Sequence, residues 1–361
     1  MIYARCNIQL LLLLNFICFT GIFIATRRIV RTSEPNDTTN MLVSNFSVMR
    51  SLALSHSSNN DSNVIINLTE DISIYQYDAK KPNAKICEAP AFLILVINSK
   101  PNHHDRRMAI RTSWGNGSDY ARRTKHPVAW RTVFVVGKSG KEAVDKKVIE
   151  EGEEHGDLVF GDFQDNLKSL TDKTVLGMRW AYYFCRPKFY FKGDDDVFIN
   201  APRLFELVLQ LERYFPTKMW ICRAHIEEES RYAIRDRRSK YAISRREYSK
   251  NIFPQFCSGY AYVLTSDVLE GMLSKVKSTR IIKVLDDVYV GMLADKMGIL
   301  PKHDRRFNVY QPMPKNHNYT LEEIDGSLAE HGIKPHQQRR LLKLAIEGMR
   351  LNRKSYYNTK L

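Results

Sequence analysis

Residues Ala91–Asn98 (AFLILVIN) are an unbroken apolar run, and a strand of that composition is stable only when covered on both faces. That demand recurs along the chain. Arg131–Val136 (RTVFVV, ending at Gly137), Asp157–Phe160 and Lys188–Lys192 (KFYFK) read as further strands. Asp105–Trp114, Lys141–Glu154, Leu167–Phe184 and Pro202–Tyr214 read as helices between or after them. The alternation predicts an α/β fold of βαβ units around a mostly parallel sheet. Beyond Trp220 the order loosens. Ile226–Tyr248 is strongly charged and reads as a long loop or insertion, Gly259–Leu264 as a strand and Ser266–Lys275 as a helix. Asp286–Met297 reads as a helix stopped by Gly298, and His336–Arg353 as a basic amphipathic helix.

The N-terminus constrains the compartment. Ile8–Ala25 is almost wholly apolar and close to the shortest helix that spans a bilayer. A cleaved signal peptide is the competing reading. Arg5 precedes the run, while Arg27, Arg28 and Arg31 follow it, which by the positive-inside rule favours a cytosolic bulk. The N-x-S/T sequons at Asn36, Asn45, Asn60, Asn67, Asn116 and Asn318 point the other way, to a glycosylated lumenal chain. The first four lie in a Ser/Asn/Thr-rich stretch that buries too little apolar surface to order itself. The expected organisation is a cytoplasmic tail at 1–7, a signal-anchor helix at 8–25, a lumenal glycosylated stem at 26–85 and a catalytic domain at 86–361. Cys87, Cys185, Cys222 and Cys257 lie beyond the anchor and allow two disulfides in three pairings. The chain carries 55 Lys and Arg against 40 Asp and Glu, a formal charge of +15, which calls for anionic partners. A lumenal address removes nucleic acid and leaves nucleotide sugars, anionic glycans and phospholipid headgroups.

Chemistry concentrates in two acidic motifs. Asp194-Asp195-Asp196 follows an apolar strand, where three carboxylates repel one another and are costly to desolvate. A hard divalent cation bridging to phosphate oxygens removes that cost, and open α/β sheets bind ligands beyond the carboxyl ends of their strands. Asp286-Asp287 opens a helix, which suits the helix dipole and also suits a general base. Two further groups flank these. Arg106, Arg107 and Arg111 lie in RRMAIRTSWG, and FCSGYAY is a small-residue turn set among aromatics.

The ordered set RRMAIRTSWG, VFVVG, HGDLVFGDFQDNLKSLTDKTVLGMRWAYYFC, KFYFKGDDDVFIN, FPQFCSGYAYVLTSDVL and LDDVYVGMLADKMGI resembles the β-1,3-galactosyltransferase / β-1,3-N-acetylglucosaminyltransferase family, glycosyltransferase family 31, over about residues 90–300. The resemblance implies a GT-A type, Rossmann-like α/β domain in a single-pass type II Golgi membrane protein, with a UDP-sugar donor, Mn²⁺ and a glycan acceptor on glycoprotein or glycolipid. It places Asp194 and Asp195 on the donor diphosphate, Asp194 and Asp196 on the metal, and Arg111 and Lys173 on the nucleotide side. Asp287 falls where the family has its base, although the residue before it is Asp286 and not the family's Glu. His331, in the loop before the last helix, is the metal-side candidate, with His303 and His317 as rivals. The expected reaction is inverting transfer, most simply of galactose, to an acceptor 3-hydroxyl. Transfer of GlcNAc or GalNAc, or non-catalytic UDP or glycan binding, are the alternatives.

Overall fold

The computed structural model describes residues 77–358 apart from 79, 82, 127–129, 215 and 309–316. The expected tail at 1–7, the apolar segment at 8–25 and the stem up to residue 76 lie outside the described residues. No helix among the described residues is long and apolar enough to cross a membrane.

The fold is mixed α/β with a parallel-rich central sheet. β1 (Leu93–Asn98), β2 (Trp130–Lys138), β3 (Leu158–Gln164) and β4 (Phe189–Asp194) run parallel, and β7 (Phe256–Thr265) runs antiparallel beside β4. β6 (Trp220–His225) and the short β8 (Lys302–His303) complete the seven-stranded order β3-β2-β1-β4-β7-β6-β8. A second sheet, β5-β10-β9, joins Val197–Ile199, Ala329–His331 and Phe307–Asn308.

Every residue of β1 is buried, as its composition demands. Its pleat sends Ile94 and Val96 into one core and Leu93, Leu95 and Ile97 into the other. The first core is closed by α4 (Leu170–Cys185), α6 (Ser266–Lys275) and α7 (Asp286–Asp295). The second is closed by α1 (His104–Arg111), α3 (Glu142–His155), α5 (Ala201–Glu212), the second sheet and α9 (Pro335–Asn358). α4 can lie close to the sheet because Gly177 has no side chain. A Cβ there would stand 2.8 Å from Val96 and 3.0 Å from Val135. The remaining helices are α2 (Gly117–Thr124) and α8 (Leu321–Asp325).

Of the three possible cysteine pairings the structure holds Cys87–Cys185 and Cys222–Cys257. The first ties the chain before β1 to the end of α4. The second closes the base of the charged insertion, which stays irregular as expected and is held by arginines on its own carbonyls. Arg235 donates to Ile243 O and Tyr248 O, and Arg231 to Phe253 O.

The domain edge differs from the expected Ile86. Tyr77 bridges Gly161 on β3, Ala84 is buried, and Ala84 N donates to Leu158 O at 2.6 Å, so residues from 77 belong to the fold.

Candidate active site

β4 ends at Asp194, Asp195 and Asp196 form a turn, and β5 begins at Val197 in the other sheet. The three aspartates therefore sit where the chain leaves one sheet for the next, at the carboxyl ends of β1 and β4. A cavity of about 390 Å³ opens there. Its walls are Asn98 and Ser99 at the end of β1, His103 and Arg106 at α1, Asp165 just after β3, Lys173 in the first turn of α4, and the aspartates themselves.

The three carboxylates have different surroundings. Asp195 is turned inward, accepting from Ser99 Oγ at 2.7 Å, His103 Nδ1 at 2.8 Å and Arg106 Nη1 at 2.8 Å. Burial alone would raise its pKa, but these donors hold it below the usual carboxylate range. Asp196 is the most open, its side chain 36% exposed against 7% for Asp195, with Arg106 Nη1 at 3.4 Å. Asp194 is pushed up to about 6 by burial, against the pull of Lys192 and with the charges of Asp286 and Asp196 adding to the rise.

His331 stands with its Nε2 3.7 Å from Asp196 Oδ1. It is not in a loop as expected. It ends β10, and its register opposite Val197 of β5 puts the imidazole beside Asp196. The rivals are engaged elsewhere: His303 Nδ1 accepts from Ala224 N, and His317 pairs with Glu323. Among the described residues no set of three or more His, Cys, Asp or Glu is grouped as a metal cage. Asp194 and Asp196, with one imidazole near, instead suit a cation held by one or two carboxylates and completed by phosphate oxygens and water.

Lys173, expected on the nucleotide side, lines the cavity and donates to Asp165 Oδ2 at 2.6 Å and Ser99 O at 2.8 Å. Arg111 does not line it. Its guanidinium is bidentate to Asp157, at 2.8 and 2.7 Å, donates to Glu151 Oε1 at 2.7 Å and lies over the Phe134 ring. Five residues separate Arg106 from Arg111, about 140° around a helix, so only one of them can face the cavity. Buried Arg107 also grips Glu151, at 2.8 and 2.6 Å, and donates to Ser99 Oγ at 2.9 Å. Glu151 is thus the anchor that fixes α1. Burial opposes its ionisation, yet the Arg107, His104 and Arg111 contacts hold it at about 2.

Asp287 lies in the first turn of α7, half-buried, with its Oδ1 accepting from Val288 N at 2.8 Å. It does not line the cavity. Asp286, next to it, accepts from Thr174 Oγ1 at 2.7 Å and has Lys192 Nζ at 3.5 Å, and Lys192 donates to Asp194 Oδ1 at 2.8 Å. A single buried ammonium therefore lies between Asp194 and the first turn of α7. Gly259 on β7 makes room for this approach: a Cβ there would be 3.2 Å from that of Asp287. Burial first, then the Asp286 charge, push Asp287 up to about 7.

An acidic turn that suits a divalent cation, a cavity lined by both carboxylates and cationic side chains, and a raised carboxylate next to a lysine-paired one make up the candidate site. The Galactosyltransferase family model matches residues 105–305, and the chain belongs to the β-1,3-galactosyltransferase / β-1,3-N-acetylglucosaminyltransferase family, glycosyltransferase family 31. It is a glycosyltransferase. Human beta-1,3-galactosyltransferase 5 is 34% identical over 234 residues, covering 64% of this chain and 72% of that protein. Mouse beta-1,3-galactosyltransferase 1 is 30% identical over 268 residues, covering 74% and 77%. Human lactosylceramide 1,3-N-acetyl-beta-D-glucosaminyltransferase is 30% identical over 253 residues, covering 66% and 65%. Among solved structures, the galactosyltransferase LgtC with donor and acceptor sugar analogues overlaps 70% of this chain and 95% of its own, at 14% identity and a TM-score of 0.33.

Ser99, His103 and Asp165 were not expected as site residues, and Arg106 was read only within a basic group that either solvates a helix face or approaches a diphosphate. The available signal was helix phase, which sets Arg106 and Arg111 on different faces. The two arginines are predicted to separate in mutagenesis. Arg111→Ala leaves Glu151 and Asp157 underpaired and lowers unfolding free energy by about 3 kcal/mol in urea denaturation. Arg106→Ala is expected to change the midpoint little and to raise the donor KM.

The Asp287 charge is predicted to cost stability. Its folded pKa lies above the unfolded value, so between about pH 4 and pH 7 the folded state holds the extra proton and stability falls as pH rises. Asp287→Asn should melt higher than wild type at pH 7.5, with the difference closing towards pH 4 in paired thermal melts. A variant less stable at every pH would contradict this.

Proposed function

We propose that the chain transfers a hexose from a UDP-sugar, galactose in the first instance, to the 3-hydroxyl of a glycan acceptor with inversion, forming a β-1,3 linkage on glycoprotein or glycolipid. The observation that carries this reading is the acidic turn Asp194–Asp196 at a cavity that also holds Arg106 and Lys173, linked through buried Lys192 to Asp286, the neighbour of Asp287. The GT-A reading of the domain has its support in the acidic residues at the carboxyl end of β4, where open α/β sheets bind ligands.

In this reading Asp194 and Asp196 hold Mn²⁺, with His331 at their side. The bound cation supplies Lewis-acid neutralisation of the diphosphate leaving group. Arg106 and His103 line the same cavity and add fixed positive or hydrogen-bonding groups where the diphosphate would develop charge. Lys173 and Asp165 brace the opposite wall. Asp287 takes the proton of the acceptor 3-hydroxyl. Its raised pKa makes it a stronger base than a free carboxylate while leaving it ionised above neutral pH. Attack from the face opposite the leaving group on an α-linked donor then yields the β product.

Transfer of GlcNAc is the second reading, because one relative in this identity range is named for that sugar. The donor is set by a few contacts around the sugar ring. The test is UDP release by the purified full-length chain with a panel of UDP-sugars and simple glycosides. Acceptor-dependent release from one donor, abolished by chelator and restored by Mn²⁺, is expected. UDP binding without release from any pair would favour a non-catalytic binder.

We also propose a single-pass type II Golgi address with a lumenal catalytic domain. The sequon asparagines Asn116 and Asn318 are both exposed, and Asn116 caps α2 through its amide oxygen, accepting from Asp119 N at 2.9 Å. That leaves its amide nitrogen as the atom for a glycan. Glycosidase treatment of the cellular protein should increase its gel mobility, and Asn116→Gln should remove one glycan step. Mobility unaffected by glycosidase would exclude the lumenal reading.

A further inference from the structure

We propose that Thr174, Lys192 and Asp286 form a positioning bridge that fixes the first turn of α7, and so the Asp287 carboxylate, according to the state of Asp194. The proposal rests on the reading of Asp287 as the base and deepens it.

Lys192 is 1% exposed, and three acceptors converge on its ammonium: Asp194 Oδ1 at 2.8 Å, Gly259 O, and Asp286 Oδ2 at 3.5 Å. Each belongs to a different part of the site. Asp194 is the donor-side carboxylate, Gly259 is the backbone packed on Asp287, and Asp286 is the neighbour of Asp287 on α7. Thr174 closes the network from behind. Its hydroxyl donates to Asp286 Oδ2 at 2.7 Å and accepts from Asn98 Nδ2 at 2.9 Å. Asn98 lines the cavity and stands opposite Asp194 in the β1–β4 register. The path from Asp194 through Lys192, Asp286, Thr174 and Asn98 thus returns to the strand end where it began.

Asp286 is buried and held by Thr174 and Lys192, while Asp287 accepts from Val288 N within the helix turn. Consecutive helix residues are set about 100° apart, so fixing Asp286 fixes the direction of Asp287. Positive charge brought to Asp194 competes with Lys192 for that carboxylate. The ammonium then leans more on Asp286 and Gly259 O, and the base turn is held most firmly when the donor side is filled. A carboxylate serving only the helix dipole would need neither Thr174 nor Lys192.

The experiment uses the full-length chain and compares Thr174→Ser, Thr174→Val, Asp286→Asn and the Thr174→Val/Asp286→Asn double variant. It reads kcat and KM, equilibrium UDP affinity with Mn²⁺, and the urea midpoint. Thr174→Ser keeps the hydroxyl and should stay within about twofold of wild type. Thr174→Val should lose about tenfold in kcat, the scale of one hydrogen bond to a charged group, with UDP affinity within about twofold. The double variant should lose no more than Asp286→Asn alone, in kcat and in midpoint. Wild-type kcat in Thr174→Val, or losses that multiply in the double variant, would overturn the bridge. If wild type binds UDP but transfers nothing, the reading of Asp287 fails. The bridge is then judged by the midpoint cycle, and independent effects of Thr174 and Asp286 there overturn it.

Discussion

The site depends on one buried positive charge. The ends of β4 and the start of α7 bring Asp194, Asp286 and Asp287 towards each other, with Asp195 and Asp196 close behind. In a dry interior that concentration of carboxylates is prohibitive, and the Lys192 ammonium is what makes it tolerable. The cost is met asymmetrically. Lys192 is held strongly protonated although its burial opposes the charge, whereas Asp194 and Asp287 are pushed upward. A carboxylate raised in this way is both a cost to folding and a base ready for a proton.

The frame around that charge is built from ion pairs that do no chemistry. Glu151 on α3 takes Arg107 and Arg111 from α1, and Asp157 takes the rest of Arg111. The clamp sets the phase of α1, so that His103 and Arg106 meet Asp195 at the cavity wall. Asp195 is therefore spent on structure, and Asp194 and Asp196 remain the more open carboxylates of the turn. The crossing from β4 to β5 places His331 beside Asp196 through a strand pairing between distant parts of the chain.

Much of this could be read in the sequence, and the exceptions have physical reasons. β1 to β4 and the helices α1 and α3 to α7 follow from apolar runs and helical spacing, and Ser266–Lys275 coincides with α6, whereas α2 at Gly117–Thr124, mostly polar, was not read as a helix. β5, β8, β9 and β10 hold two or three residues each, too few to show any period. β6 carries Cys, Arg and His on an outer part of the sheet and does not read as apolar. The two acidic motifs were visible as local clusters, but their connection through Lys192 and Thr174 needs three elements to meet. Arg111 was expected at the nucleotide by position within a motif, and helix phase turns it to Glu151 instead. His331 was expected near the metal side, but in a loop. The stem's last residues, polar overall, dock through Tyr77 and Ala84, two apolar side chains that composition averages away.

The central claim is that donor binding and proton removal belong to separate carboxylates on either side of Lys192. The most direct measurement compares Asp287→Asn with wild type for sugar transfer and for UDP affinity in Mn²⁺. The account predicts UDP affinity within about twofold of wild type and a loss of transfer of at least about a hundredfold, the scale of general-base catalysis. Near-normal transfer by Asp287→Asn would contradict it.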